Sequence, residues 1–410
     1  MKRAYNRRKF LKQMASGAGA CCASTLFNKL SFTVCPVAHA ATNGKIIVAL
    51  YLNGGPDWLD WLRPDIAELN GRRDALNDIL ATGLPVNGHG NLLWNPRLTT
   101  FKAENDAGNM AAINFVGPEN HSGSHEVART NWNYGKSNGT ALAEPGNGWF
   151  ARTLNALGAE SNFACFNLAS LSLSQGTTAV TNGSLGSFGW SQTNTAAQKA
   201  RNTLFSLASQ QGGAGSQAED LLRSYSNAEA SVERVRDAIQ STNFNFDYPE
   251  TPTGRALRDA ERVIRNFDET CAIAIQRGGH DTHSNQRNGN NASMSDINDA
   301  ISVFYANMRS RGLGDKVTLL VYGEFGRQIT ENSNAGTDHG RAGSVFVFGD
   351  AVNGGIYGPD YTAATFHPGT NRLNVEVNTV DVLGPIAQWL GANPNDIFEN
   401  YNAGSAIPIL

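Results

Sequence analysis

Apolar, β-branched runs punctuate the chain at Lys45–Leu52 (KIIVALYL), Met110–Val116 (MAAINFV), Phe163–Ala169, Thr270–Gln276 (TCAIAIQ) and Ser344–Phe348 (SVFVF), with a further run beginning at Val317 (VTLLVYG). Such short runs, bounded by polar and glycine-rich segments, predict strands buried on both faces. Helical patterns fill the gaps at Pro96–Ala107, Gly148–Leu157, Thr253–Phe267, Ser295–Arg311 and Thr379–Leu390. Another helix is expected after Glu126, running through Trp132. Pro64–Leu80 reads as irregular helix and Thr82–Asn95 as loop. Strands alternating with helices predict an α/β fold, a mostly parallel sheet flanked by helices on both faces.

The stretch Thr195–Gln240 has a different character, rich in Ala, Gln and Ser. Leu221, Tyr225, Ala228, Val232, Val235 and Ile239 recur there at steps of four and three, an amphipathic helical seam. The seam is too short for a coiled coil. It reads as a helical insertion, about 195–240, lying on its own domain.

The first forty residues do not read as fold. Asn6-Arg7-Arg8-Lys9-Phe10-Leu11-Lys12 is a twin-arginine pattern, followed by a weakly apolar Ala/Gly stretch and the small-x-small site Ala38-His39-Ala40. Cleavage is expected after Ala40, leaving 41–410 as the domain and placing it in the periplasm or outside the cell. The segment carries seven basic residues and no acidic ones, so its removal takes the net charge from −3 to −10. An acidic surface of this kind argues against nucleic-acid and anionic-membrane partners. No later apolar run is long enough to span a bilayer. Cys21, Cys22 and Cys35 leave with the signal; Cys165 and Cys271 stay, each in an apolar run, and read as two buried thiols.

Chemistry gathers where the strands end. Asp57 follows the first strand across Gly54-Gly55-Pro56; His121, Ser124, His125 and Glu126 follow the second. His280, Asp281 and His283 follow the strand at Thr270–Gln276. Glu324, Arg327, Asp338 and His339 follow the strand that starts at Val317. Seven histidines remain after Ala40 and five lie in these clusters, which is more concentration than composition explains. Ligands of open α/β sheets bind beyond the carboxyl ends of the strands. Mixed carboxylates and imidazoles suit a divalent ion, Zn or else Mn, Mg or Ca, with one or two ions. A serine beside such an ion becomes a nucleophile, and an arginine fork holds an anionic oxygen. Taken singly, each residue has a plainer reading: Asp57 as a turn residue, Asp281 in an Asx-turn, His125 at a helix start, Arg327 paired with Glu331.

The segments LNGGPDWLDWLRP, SHEVARTNWNYG, GGHDTHSNQ, YGEFGRQITENSNAGTDHG, GGIYG and VDVLGPIAQWLG, with the twin-arginine start, resemble the exported domain of unknown function 1501 family. That family is placed in the alkaline-phosphatase-like (sulfatase-like) superfamily. The resemblance covers nearly the whole chain, least of all Thr195–Gln240. It implies an alkaline-phosphatase-like core and a one- or two-metal site. Asp57, Asp281, His283, Asp338 and His339 would match metal ligands, with Glu324 at a further ligand position, and Ser124 would match the nucleophile. Two departures stand out. One residue separates Asp281 from His283 where the superfamily has a helical turn, and Glu324-Phe325 stands where it commonly has Asp-His.

These readings combine into an exported, metal-dependent hydrolase of phosphate or sulfate esters. Ser124 is the expected nucleophile; His125 or Arg327 orients the anion. The substrate is a small anionic ester or a sulfated or phosphorylated glycan. The alternative is a non-catalytic periplasmic binding protein that keeps the fold. The Cys/Ser-x-Pro-x-Arg motif of formylglycine sulfatases is absent after Ala40. Gly135-Lys136-Ser137-Asn138-Gly139 fits G-x-S-x-G but lacks the preceding strand that a nucleophile elbow needs.

Overall fold

Every residue of the strand Ile46–Leu52 is buried, because it has a parallel neighbour on each side and packed side chains on each face. Ile46, Val48, Leu50 and Leu52 enter one apolar cluster, while Ile47, Ala49 and Tyr51 enter another. The period-two alternation of a strand thus divides one apolar run between two cores.

The computed structural model describes residues 44–119, 123–136, 147–159, 161–169, 171–177, 179–181, 184–185, 202–203, 206 and 230–410. The expected signal at 1–40, His121, Ser122, Ser137 and most of 195–240 lie outside the described residues. In chain order the strands are β1 (Ile46–Leu52), β2 (Leu62–Pro64), β3 (Leu84–Val86), β4 (His89–Trp94), β5 (Met110–Gly117), β6 (Cys165–Asn167), β7 (Val180–Thr181), β8 (Ala272–Arg277), β9 (Val317–Gly323), β10 (Gly343–Phe348), β11 (Gly355–Tyr357) and β12 (Val377–Asn378). Nine of them form one sheet ordered β11-β5-β10-β9-β1-β8-β6-β7, with β12 also on β5. All its pairings are parallel except those of β10. The expected mixed α/β architecture with a mostly parallel sheet is therefore what the chain adopts.

Register aligns Leu52 with both Arg277 and Gly323. The segments leaving β1, β8 and β9 consequently emerge side by side at one edge, joined by the segment leaving β5. Helix Gln286–Ser310 and helix Pro252–Asn266 bury their apolar residues in the first core; helix Thr379–Leu390 buries its own in the second. Val232 and Val235 of the described part of the amphipathic seam are buried in the first core, so that part lies on its own domain. Cys165 and Cys271 are buried thiols, not joined in a disulfide, and Cys271 Sγ donates to the Glu269 carbonyl at 3.6 Å.

Three expectations need correction. Thr82–Asn95 is a hairpin, β3 and β4, joined at Asn87-Gly88 with Gly88 at φ +78; the Asn-Gly turn was its signal. Pro64–Leu80 holds single helical turns rather than one irregular helix. The helix expected at Ser295 starts at Gln286. Its first turns carry buried Gln286, Asn290 and Ser293, whose side chains meet Asp57, Asp60 and His280. A helix face packed on polar groups lacks the apolar period by which helices are read.

Candidate metal centre

Gly54 lets the edge close up. A Cβ there would lie 2.3 Å from the Asp281 amide nitrogen, and its φ is +118. With only hydrogen in that space, the loop after β1 nests against the loop after β8. Gly54 N and Gly55 N then donate to the Glu324 carboxylate, at 2.9 and 2.6 Å. Gly336 serves the opposite wall: a Cβ there would lie 2.3 Å from the His283 carbonyl carbon.

Three imidazoles and one carboxylate converge in this nest. His125 Nε2 lies 3.6 Å from Asp281 Oδ1, His339 Nε2 3.3 Å and His283 Nε2 2.9 Å; the Nε2 atoms of His283 and His339 are 3.0 Å apart. Each ring is anchored through its other nitrogen. His125 Nδ1 faces Glu324 Oε1 at 3.2 Å, His283 Nδ1 faces Asp338 Oδ1 at 2.8 Å, and His339 Nδ1 faces the Gly123 carbonyl at 2.9 Å. A carbonyl or carboxylate only accepts, so hydrogen on Nδ1 satisfies each of these three contacts, and in that tautomer the Nε2 lone pairs turn inward. Phe325 packs beside two of them, 4.9 Å from each of the His125 and His339 ring centres, which are 4.3 Å apart.

The donor set fits a divalent ion. Nε2 of His125 is buried and has no hydrogen-bond partner. His125, Asp281 and His339 offer ligand atoms within 4.8 Å of one another. A tetrahedral ion with bonds of about 2.0–2.1 Å holds its ligand atoms roughly 3.3–3.4 Å apart, and the separations above bracket that value. Burial lowers the pKa of His339, with the nearby His125 and Arg327 charges adding to it, which favours the neutral, ligating ring. Burial raises the Asp281 carboxyl, but the Arg327 hydrogen bond and charge outweigh it and hold the pKa below the ordinary value. The hydrogen bond from His283 likewise lowers that of Asp338.

The remaining expected residues take other positions. Asp57, expected as a ligand, is buried in an ion pair with Arg73 at 2.6 Å and accepts from Gln286 at 2.5 Å. Arg73 also bonds the carbonyls of Gln328 and Ile329, so Asp57 is drawn toward the loop after β9. Glu324, also expected as a ligand, is fully buried. Its burial raises the pKa, but His125 and the Gly54 amide outweigh that, and as an anion it orients the His125 ring. Arg327, expected to orient an anionic substrate, is buried. It donates to the carbonyls of Gly54, Gly55, His280 and Thr337 and, at 2.7 Å, to Asp281 Oδ1. A guanidinium committed to four carbonyls is a tie between loops, because its fork is already filled. Asp338 orients His283, and Asn332 donates to it at 3.2 Å. Ser124 is exposed at the N-cap of helix His125–Tyr134, one residue before His125. Arg73, Gln286 and Asn332 carried no sequence signal; each is a polar residue in a polar stretch.

A family model described as "Protein of unknown function (DUF1501)" matches residues 135–406. No curated protein matches the chain. Among solved structures the chain is similar to the lipoteichoic acid synthase LtaP from Listeria monocytogenes, at 10% identity and TM-score 0.42 over 94% of this chain and 79% of that one. It is similar to the C-terminal periplasmic domain of EcEptC from Escherichia coli in complex with Zn, at 8% identity and TM-score 0.43 over 92% and 90%. It is also similar to alkaline phosphatase from the Antarctic bacterium TAB5, at 10% identity and TM-score 0.35 over 76% and 93%.

Proposed function

The chain belongs to the DUF1501 family, and from that premise we propose that it is an exported, metal-dependent hydrolase of phosphate or sulfate esters. The observation that carries the reading is the convergence of His125, His283 and His339 Nε2 on Asp281 Oδ1, with every Nδ1 anchored. A divalent ion bound there would supply Lewis-acid chemistry, polarising an ester oxygen and lowering the pKa of a hydroxyl brought to it. Asp281 and the three rings bind the ion. Glu324, Asp338 and the Gly123 carbonyl hold the rings in the ligating tautomer. Arg327 positions Asp281. Ser124 supplies the nucleophile: as Oγ bonds to phosphorus or sulfur its proton passes to solvent, the bond to the alcohol oxygen breaks and the alcohol leaves protonated by water, and a second water then hydrolyses the Ser124 ester to release phosphate or sulfate. The substrate is an anionic ester, small or carried on a glycan. Residues 1–40 direct export by the twin-arginine route, and 41–410 act in the periplasm.

The test uses mature protein purified from the periplasm. Elemental analysis is expected to find a divalent metal that Asp281→Ala loses. Nitrophenyl phosphate, bis-phosphate and sulfate esters then probe turnover, which Ser124→Ala is expected to abolish with metal content kept. Failure to take up any divalent metal on titration overturns the reading. A second reading, a non-catalytic binding protein, is favoured by the commitment of Arg327 to backbone carbonyls and by Phe325 packed against two of the imidazoles. Metal uptake without turnover of any ester supports it.

A further inference from the structure

A group of arginines lies near the ends of β6 and β8. Arg255, Arg258, Arg262 and Arg265 follow one another at steps of three, four and three along helix Pro252–Asn266, and so share one face. Like charges so placed repel, and the domain after Ala40 is acidic overall, at −10. A cavity of about 390 Å³ opens beside this face. Arg255, Arg258 and Arg262 line its wall with Asp259; Leu168 and Ile275 give it an apolar surface. Among the described lining residues three arginines stand against one carboxylate, with Glu250 from outside the lining pairing with Arg258. Partners take up only part of the donor capacity. Arg255 donates to the Glu250 carbonyl, Arg258 pairs with Glu250, and Arg262 pairs with Asp259 at 2.9 Å. The Nε atoms of Arg258 and Arg262 are buried without a hydrogen-bond partner, which is costly for a charged group. Gln276 at the end of β8 also lines the cavity. Four residues separate it from Asp281, a span of at most about 18 Å.

We propose that this cavity is a second anion-binding site, taking a sulfate or phosphate group. Resting on the hydrolase reading, it receives another anionic group of the same substrate, so the natural ester carries more than one. Planar guanidinium forks match tetrahedral oxyanions by bidentate hydrogen bonds. The apolar surface accommodates the carbon skeleton that joins the groups.

The experiment separates the two readings. Protein stripped of metal with EDTA is titrated calorimetrically with inorganic sulfate and with inorganic phosphate, at constant ionic strength against chloride. Saturable binding is expected without metal, and preference between the two ions identifies the group. Arg258→Gln and Arg262→Gln are expected to weaken it about tenfold each. Arg255 is exposed, so Arg255→Gln provides a variant that keeps the fold if either of the others does not. His339→Ala is expected to bind the anion as the parent does. With loaded enzyme, Arg258→Gln raises KM for an ester bearing two anionic groups and leaves a simple monoester unchanged. Absence of saturable binding, or equal binding by all three arginine variants, overturns the proposal while metal content and monoester turnover still report on the hydrolase reading.

Discussion

His283 and His339 face each other through their Nε2 atoms at 3.0 Å, although each ring already has an acceptor on Nδ1. Two neutral rings in that tautomer present lone pair to lone pair, and the contact is repulsive unless a cation lies between them. A proton on one ring relieves that pair but leaves His125 Nε2 without a partner. One divalent ion relieves all three. Divalent metal is therefore expected to raise the unfolding temperature of the stripped protein. At a free concentration of about 100 Kd the linkage amounts to about 2.7 kcal/mol. Thermal unfolding with and without chelator measures it, and His339→Ala should lose the shift.

On the proposed function, Glu324 and Asp338 would act on the metal through the rings they face. Glu324→Gln and Asp338→Asn are expected to weaken metal affinity about 10- to 100-fold while keeping the stoichiometry at saturation. Competition against a chelating dye gives both quantities. Loss of stoichiometry would make the carboxylate a direct ligand.

Arg327 ties the loops after β1, β8 and β9 together. Arg327→Lys is expected to destabilise by on the order of 3 kcal/mol, because one ammonium cannot reach four carbonyls and a carboxylate spread around a planar fork. Denaturant unfolding checks the value. A substitution that leaves stability intact but destroys ester turnover would return Arg327 to the substrate.

Asp57 and Arg73 are both buried and bonded at 2.6 Å. Arg73→Gln leaves a buried carboxylate without its cation and is expected to cost about 3–5 kcal/mol. Adding Asp57→Asn should recover part of the loss. The double-mutant cycle reads the coupling directly, and additive effects would show that the pair is not a unit.

His280 is buried, and burial first, with the Arg277 charge adding to it, pushes its pKa down to about 3. The unfolded ring has a pKa near 6.5. Between these values the unfolded chain binds the proton and the folded one does not, so stability is present above about pH 6.5 and is lost as pH falls toward 3. His280→Gln is expected to flatten the decline in unfolding free energy between pH 7 and 5. An unchanged slope would assign acid lability to other groups.

The strands were legible because each is buried on both faces and has an unbroken apolar run, as β1 and β9 show. Helix Thr379–Leu390 was legible to the residue; it begins at the Asn378 cap and stops at Gly391 in the left-handed conformation. The start of helix Gln286–Ser310 was not, since its first turns bury amides against carboxylates rather than side chains against an apolar core. The grouping of acids and histidines at strand ends was also visible, because a parallel sheet delivers successive strand ends to one edge.

By itself, the sequence determined the α/β architecture, the edge where chemistry gathers, and the pool from which His125, Asp281, His283 and His339 come. Only the tertiary structure decided which members of that pool meet. Asp57, Glu324 and Arg327 share the motifs of the converging residues, yet one is held by Arg73, one faces two glycine amides, and one is filled by carbonyls. Those partners come from loops more than two hundred residues apart for Glu324 and for two of the four Arg327 carbonyls, and for Asp57 from a cation sixteen residues away in an unremarked turn. A side chain becomes a ligand or a support according to what else lies within about 3 Å of it, and only the folded chain sets that distance.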